Sequence, residues 1–140
     1  MLTAAAIFLL FQTAPAQTVQ SAPSILGGNL DPVAVAARID VTSFPNSIAP
    51  RREEGHRTFA DYGFTQVAHD GPAAVLTAAD GGWTFRVTVL QSSGKTVQLC
   101  ILDRALNGGS YFSVKPVEFE RGEDGLYHAT GRAIASEVCM

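Results

Sequence analysis

The side chains able to do chemistry are few, and their spacing is informative. His56, His69 and His128 are the only histidines. None stands in an HxH, HExxH or CxxC-type arrangement that would bring two ligands to one metal ion, so no metal and no cofactor is expected. They could converge with Asp61, Asp70 or Glu53 once the chain folds. That convergence is the basis of an enzymatic alternative, a small periplasmic hydrolase working through a histidine–acid pair. Otherwise His69 lies by a turn and His128 on the polar face of a strand, both solvated. No GxSxG nucleophile elbow occurs. Neighbouring carboxylates are found as Glu53-Glu54, Glu118 with Glu120, and Glu123-Asp124. Each reads as a solvated face or turn, because charged side chains are rarely buried. Gly81-Gly82 and Gly108-Gly109 read as hairpin glycines, since no helix start follows them to form a phosphate loop.

The segment from Phe44 to Phe64 is richer. Arg51, Arg52 and Arg57 could clamp a carboxylate or phosphate, and Tyr62 beside Asp61 and the nearby phenylalanines could supply a stacking wall. These five residues, Arg51, Arg52, Arg57, Asp61 and Tyr62, form the candidate ligand- or partner-binding set. The competing reading is structural. Phe59, Tyr62 and Phe64 would anchor a long crossover onto the core, and Arg51-Arg52 would neutralise Glu53-Glu54 in solvent.

Cys100 and Cys139 are the only cysteines, 39 residues apart. That spacing excludes redox CxxC and zinc-ribbon patterns, and an even count in an oxidising compartment predicts a disulfide.

The elements that would position these groups are mainly β. Val33, Val35, Ala37, Ile39 and Val41 alternate with positions that include Arg38, Asp40 and Thr42, and predict a strand over 37–44,. The competing signal is Asp31-Pro32, a helix N-cap followed by proline. Pro45 to Arg57 lacks apolar periodicity and reads as a loop, long for a compact domain. A strand is expected from about Thr58 to His69. A meander follows: Ala73–Thr77, then Trp83 to Val89 with strict alternation, a turn at Gln91–Gly94, and a strand through Val97, Leu99 and Ile101. In this last strand Cys100 falls on the opposite face. The apolar phase slips at Lys115-Pro116 within the Tyr111–Glu120 strand, which predicts a bulge. Leu126–Ile134 is the last strand, and short helical turns are expected near 31–38 and 103–107. The fold expected is an antiparallel meander of about six strands, forming a small partly open barrel or sandwich.

Composition sets the compartment. Residues 1–16 hold an uncharged apolar run, Ala4 to Phe11, followed by Ala14-Pro15-Ala16. The run is far shorter than the roughly 20 residues of a membrane-crossing helix and matches a cleavable signal peptide, with cleavage before Gln17. Residues 17–30 then read as a flexible leader and 31–140 as a single β-rich domain. The mature protein would carry no membrane span. A net charge of −3 with two lysines among ten cations leaves no basic footprint for nucleic acid,. The chain is therefore expected to be periplasmic or secreted. Its function is expected to be non-enzymatic binding through loop 44–64, the partner being an envelope protein or a small ligand.

Overall fold

The computed structural model describes residues 30–135 and 137–139; the signal peptide expected over 1–16 and nearly all of the 17–30 leader lie outside the described residues. One short helix, α1 (Pro32–Ala36), precedes six strands. These are β1 (Gln66–Asp70), β2 (Ala73–Thr77), β3 (Trp83–Ser93), β4 (Thr96–Ala105), β5 (Phe112–Arg121) and β6 (Tyr127–Ala129). Turns of 3-10 helix occur at Ala49–Arg51, Ala60–Tyr62 and Glu137–Cys139. The strands make one antiparallel sheet in the order β1–β2–β3–β4–β5–β6. The meander is thus the expected one. Its outer strands β1 and β6 do not pair with each other, so the sheet is open.

No strand spans 37–44. Asp31 Oδ1 accepts a hydrogen bond from Val33 N at 3.0 Å and Pro32 occupies the first turn, so cap and proline make the chain helical through Ala36,. The apolar spacing reads both ways, and Val35, Ala36 and Ile39 bury together as a helix would place them,. Only Ile39 pairs, in a parallel bridge to Tyr127. Asp40 N donates to Tyr127 O at 2.9 Å and Tyr127 N to Arg38 O at 2.7 Å. α1 itself packs on β1, β2 and β3. Residues 32–41 therefore cross the open side of the sheet, from its first strands to its last.

Four further boundaries differ from expectation. The last strand, expected over Leu126–Ile134, is only Tyr127–Ala129, and Gly131 at φ 74° takes the chain out of the extended conformation beyond it,. The strand expected from residue 58 begins only at Gln66, because Ala60–Tyr62 forms a 3-10 turn closed by Gly63 at φ 86°,. β3 continues through 91–93 with its bulge at Leu90, where the register to β4 shifts. Residues 103–105, expected to be helical, complete β4.

No bulge marks Lys115-Pro116, since β4 and β5 keep one register from Thr96↔Glu120 to Arg104↔Phe112. Ala105 N donates to Tyr111 O and Arg121 N to Lys95 O, so odd-numbered positions of β5 carry the bonds to β4. The nitrogen of Pro116 therefore faces the side of β5 that β6 leaves uncovered, where a missing N–H costs no ladder bond.

The inner face of the sheet buries Leu76, Phe85, Val87, Val97, Leu99, Ile101, Phe119 and Tyr127. Val35, Ile39, Val41, Phe44, Ile48, Phe59 and Phe64 close over them. Phe59 and Phe64 lie 4.7 and 5.0 Å from Phe85, ring to ring. Each such side chain contributes roughly 1.5–3 kcal/mol of burial. On the outer face Cys100 is joined to Cys139. Among the described residues no helix is long and apolar enough to cross a membrane.

Candidate functional site

The loop expected over 45–57 is held at its start by its own sequence. Phe44 packs edge-on against Phe119 at 5.4 Å. Asn46 Nδ2 donates to the carbonyls of Val41 and Phe44 at 2.6 and 2.8 Å, and its Oδ1 accepts from Ile48 N at 2.9 Å. Ile48 is fully buried. This anchoring leaves Pro50 and Arg51 exposed at the tip of the turn.

A buried acid ties that loop to the sheet. Val97, Leu99, Ile101, Asp103 and Ala105 share the inward phase of β4, so Asp103 enters the apolar side at 3% exposure. It accepts from Ser47 N at 2.8 Å, Ser47 Oγ at 2.7 Å and Trp83 Nε1 at 2.6 Å. Three donors from two elements satisfy the carboxylate, and among the described residues no cation pairs with it. Tyr111 stacks at a tilt beside Trp83, 5.4 Å between ring centres. Burial pushes its phenol pKa up, and the charge of Asp103 adds to the effect,.

An open cleft of about 310 Å³ lies between the two elements that Asp103 joins. Ser47, Pro50 and Arg51 form one wall; Asp80, Gly82, Trp83 and Asn107 form the other. A Cβ at Gly82 would sit 3.3 Å from Asp80 Oδ1 and 3.6 Å from Asn107 Nδ2, so the glycine keeps this wall open. Arg51 makes no ion pair or side-chain hydrogen bond among the described residues. Next to the cleft, Leu106, Tyr111 and Phe112 are exposed, Phe112 by 60%.

The other four candidate residues are engaged within the fold. Arg52 Nη2 reaches the carbonyl of Phe44 at 3.4 Å. Arg57 grips Asp40 through Nε at 3.1 Å and Nη2 at 2.7 Å, and also meets Asp124 at 3.0 Å. Asp61 accepts from the amides of Arg57 and Thr58 at 2.9 and 2.8 Å, which hold its carboxyl below the usual range. Tyr62 Oη accepts from Glu53 N at 3.0 Å and donates to His56 O at 3.3 Å. Arg51 alone of the five lines the cleft, and Arg51 and Arg52 form no ion pair with Glu53 or Glu54 among the described residues.

Each histidine meets an acid. His56 is 3.5 Å from Glu53 and His69 is 2.7 Å from Asp31, while Asp70 pairs with Arg86 instead. His128 Nε2 lies 3.0 Å from both Asp124 oxygens and its Nδ1 3.3 Å from Asp40. With Arg57 these make a four-residue ionic cluster joining residues 40, 57, 124 and 128. The His128 hydrogen bond, then the Leu126 amide and Arg57, lower the Asp124 carboxyl to about 2. Burial pushes Asp40 up, but hydrogen bonds from Thr42 and Arg57 outweigh it and hold its pKa below the ordinary value,. No histidine lines the cleft beside Trp83. Among the described residues no three His, Cys, Asp or Glu side chains gather as metal ligands. Ser92 in β3 and Lys95 in the β3–β4 turn stand at S-x-x-K spacing, but they share no helix turn and no hydrogen bond joins them among the described residues,.

Asp40, Asp103 and Trp83 are site-building residues that motif spacing passes over. For Asp103 a signal exists in the sequence: an acid on the apolar phase of a strand must be paired or hydrogen-bonded. Comparison of the chain with protein-family models, with curated proteins and with solved structures gives no match.

Proposed function

We propose that this is an exported, non-enzymatic binding domain whose binding surface is the cleft between the 47–51 turn and Trp83. The observation that carries this reading is Arg51, without an ion pair among the described residues, beside a half-buried indole in a cleft of about 310 Å³. That size lies at the lower end of small-ligand sites, which span roughly 300–1,000 Å³. Arg51 supplies a planar five-donor fork for a carboxylate or phosphate, and Trp83 supplies an apolar face. The ligand is a small molecule or a short segment of an envelope protein. Export is supported by the apolar run and small-residue site in residues 1–16 and by the paired cysteines,.

Trp83 is the only tryptophan in the chain, so its fluorescence reports on the cleft. A library of small anions and short peptides is expected to contain ligands that change this emission in the wild type. Arg51→Ala should abolish the response without shifting Tm, and Arg52→Ala should leave it unchanged. Ligands that bind Arg51→Ala as tightly as the wild type would remove the proposal. Sequencing the N-terminus of the exported protein tests the other half; a start at Gln17 is expected, and a start at Met1 would contradict it.

A second reading, hydrolysis at a histidine–acid pair, has one observation in its favour, the 3.0 Å contact of His128 with Asp124. Both acids there also serve Arg57, which commits them to an ion pair. Esterase or peptidase activity lost in His128→Gln with Tm preserved would restore this reading over the first.

A further inference from the structure

The inner face carries a second cleft, of about 270 Å³, lined by Leu30, Thr96 and Val97 together with Lys95, Arg121 and Tyr127. It lies at the β3–β4 turn, at the other end of these strands from Trp83. Its charges are arranged by register. Arg121 N donates to Lys95 O at 2.8 Å, continuing the β4–β5 register by one step, so the two cations stand directly opposite. Both fall on the phase of Val97 and Phe119, which is the inward one. On its other side Arg121 pairs with Tyr127. Lys95, Arg121 and Tyr127 thus form a row across three strands at the rim of the inner face.

Like charges placed directly across a strand pair destabilise the sheet. Here nothing offsets them: among the described residues neither cation forms an ion pair, in a chain whose net charge is −3. Arg86 is matched by Asp70 and Arg132 by Glu118, while Arg104 and Lys115 have no ion pair among the described residues but face only uncharged partners across their strands, Thr84 and Phe112 for one and Ile101 for the other. An uncompensated cation pair facing a cleft has the electrostatics of an anion site.

We infer that Lys95 and Arg121 form an oxyanion-binding site for a phosphate monoester. Two cations match the charge of about −1.5 to −2 that a phosphate monoester carries at pH 7, more closely than a single carboxylate would. Arg121 offers paired donors in a plane and Lys95 a point charge, a combination suited to a tetrahedral group. Thr96 lines the same cleft, and Leu30 and Val97 offer an apolar wall for the organic part of the ester. This site is independent of the Trp83 cleft, so either reading can fail alone.

The test uses inorganic phosphate and phenyl phosphate, with phenol as the uncharged control, titrated into the 15N-labelled protein. Phenyl phosphate is expected to saturate and to move amide signals at 94–97 and 121–122, with phosphate weaker and phenol inactive. Lys95→Gln and Arg121→Gln should each weaken binding about tenfold, the scale of one charge-assisted contact. Each should also leave Tm unchanged or raised, because removing one cation relieves the repulsion. A drop in Tm with unchanged affinity would show that the cations serve the fold and would overturn the inference. So would shifts located elsewhere, equal binding of phenol, or no saturation by either phosphate. Cosedimentation with phosphatidic acid vesicles, against phosphatidylcholine alone, distinguishes the source. Binding to vesicles in the Arg121-dependent manner assigns a lipid headgroup, and binding to the free ester alone assigns a soluble phosphate.

Discussion

Arg57 holds the buried carboxylate of Asp40 with two hydrogen bonds, at 3.1 and 2.7 Å, while Asp40 itself is only 5% exposed. One arginine from the long loop thereby neutralises an acid at the point where residues 38–41 join β6. Its Nη2 also meets Asp124, in the β5–β6 turn. Three segments distant in sequence depend on this one guanidinium.

Arg57→Ala is therefore expected to cost more than a surface ion pair. Removing the guanidinium leaves the buried Asp40 carboxylate uncompensated, and the half-exposed position of Arg57 lessens that penalty without cancelling it. Urea unfolding at pH 7 measures it. Arg57→Lys should recover only part of the loss, because a single ammonium cannot reproduce the paired contact.

The same cluster sets an acid limit. Asp124 has its carboxyl lowered from 3.8 to about 2, and Asp40 is shifted in the same direction. A carboxylate with a depressed folded-state pKa stabilises the fold above its unfolded value and loses that contribution as pH falls through the folded one. Stability should accordingly fall between about pH 4 and about pH 2. Asp124→Asn should be less stable than the wild type at pH 6 and show a shallower fall in this window. Denaturant midpoints measured at steps across the range check both.

Asp103→Ala removes the acceptor for Ser47 N, Ser47 Oγ and Trp83 Nε1 together. Leaving buried donors unsatisfied costs about 1–3 kcal/mol each where water does not replace the bond, so a loss of about 3 kcal/mol is expected. The indole emission should shift to longer wavelength as the 47–51 turn separates from it. An unchanged spectrum would show that the loop keeps its position without the acid.

Cys139→Ser tests the outer face. The loop-entropy relation gives about 4 kcal/mol for a 39-residue loop,. Because the main core lies on the other face, the variant should keep its β-sheet circular dichroism and aromatic signals at 25 °C while its Tm falls. Protease should then cut residues 131–140 ahead of the sheet.

The strands from 73 onward were legible because glycine turns divide them, β3 and β4 alternate apolar and polar residues, and each strand pairs with its neighbour in sequence. The helical turn near 31–38 was legible from Asp31 and Pro32, but residues 37–44 misled, because Ala37, Ile39 and Val41 fit a period of two although only Ile39 pairs with a strand. Pro116 misled for a different reason. Whether a proline needs a bulge depends on which side of β5 its nitrogen faces, and that follows from where β6 stops. The disulfide could be read from an even count and the expected oxidising compartment,. The candidate site was half legible: Arg51 stood out by type, but Asp103, Ser47 and Trp83 are brought together from separate elements by contacts no local pattern encodes. Arg57, Asp61 and Tyr62 are charged or aromatic for the sake of the loop's own geometry.

The parallel bridge between Ile39 and Tyr127 also bears on how the chain reaches its final state. Every strand pair is a hairpin between sequence neighbours, and such contacts form fast because the loops they close are short. The segment around Ile39 emerges first from the ribosome yet has its partner in the last strand. Its docking must wait for nearly the whole chain, whatever order the hairpins follow. A stalled or truncated chain ending before Tyr127 would hold five strands with Phe85, Leu99 and Phe119 partly uncovered on one face. The slow step in refolding is accordingly expected to be burial of residues 35–48, and substitutions there such as Ile39→Ala should speed unfolding more than they slow the formation of the sheet.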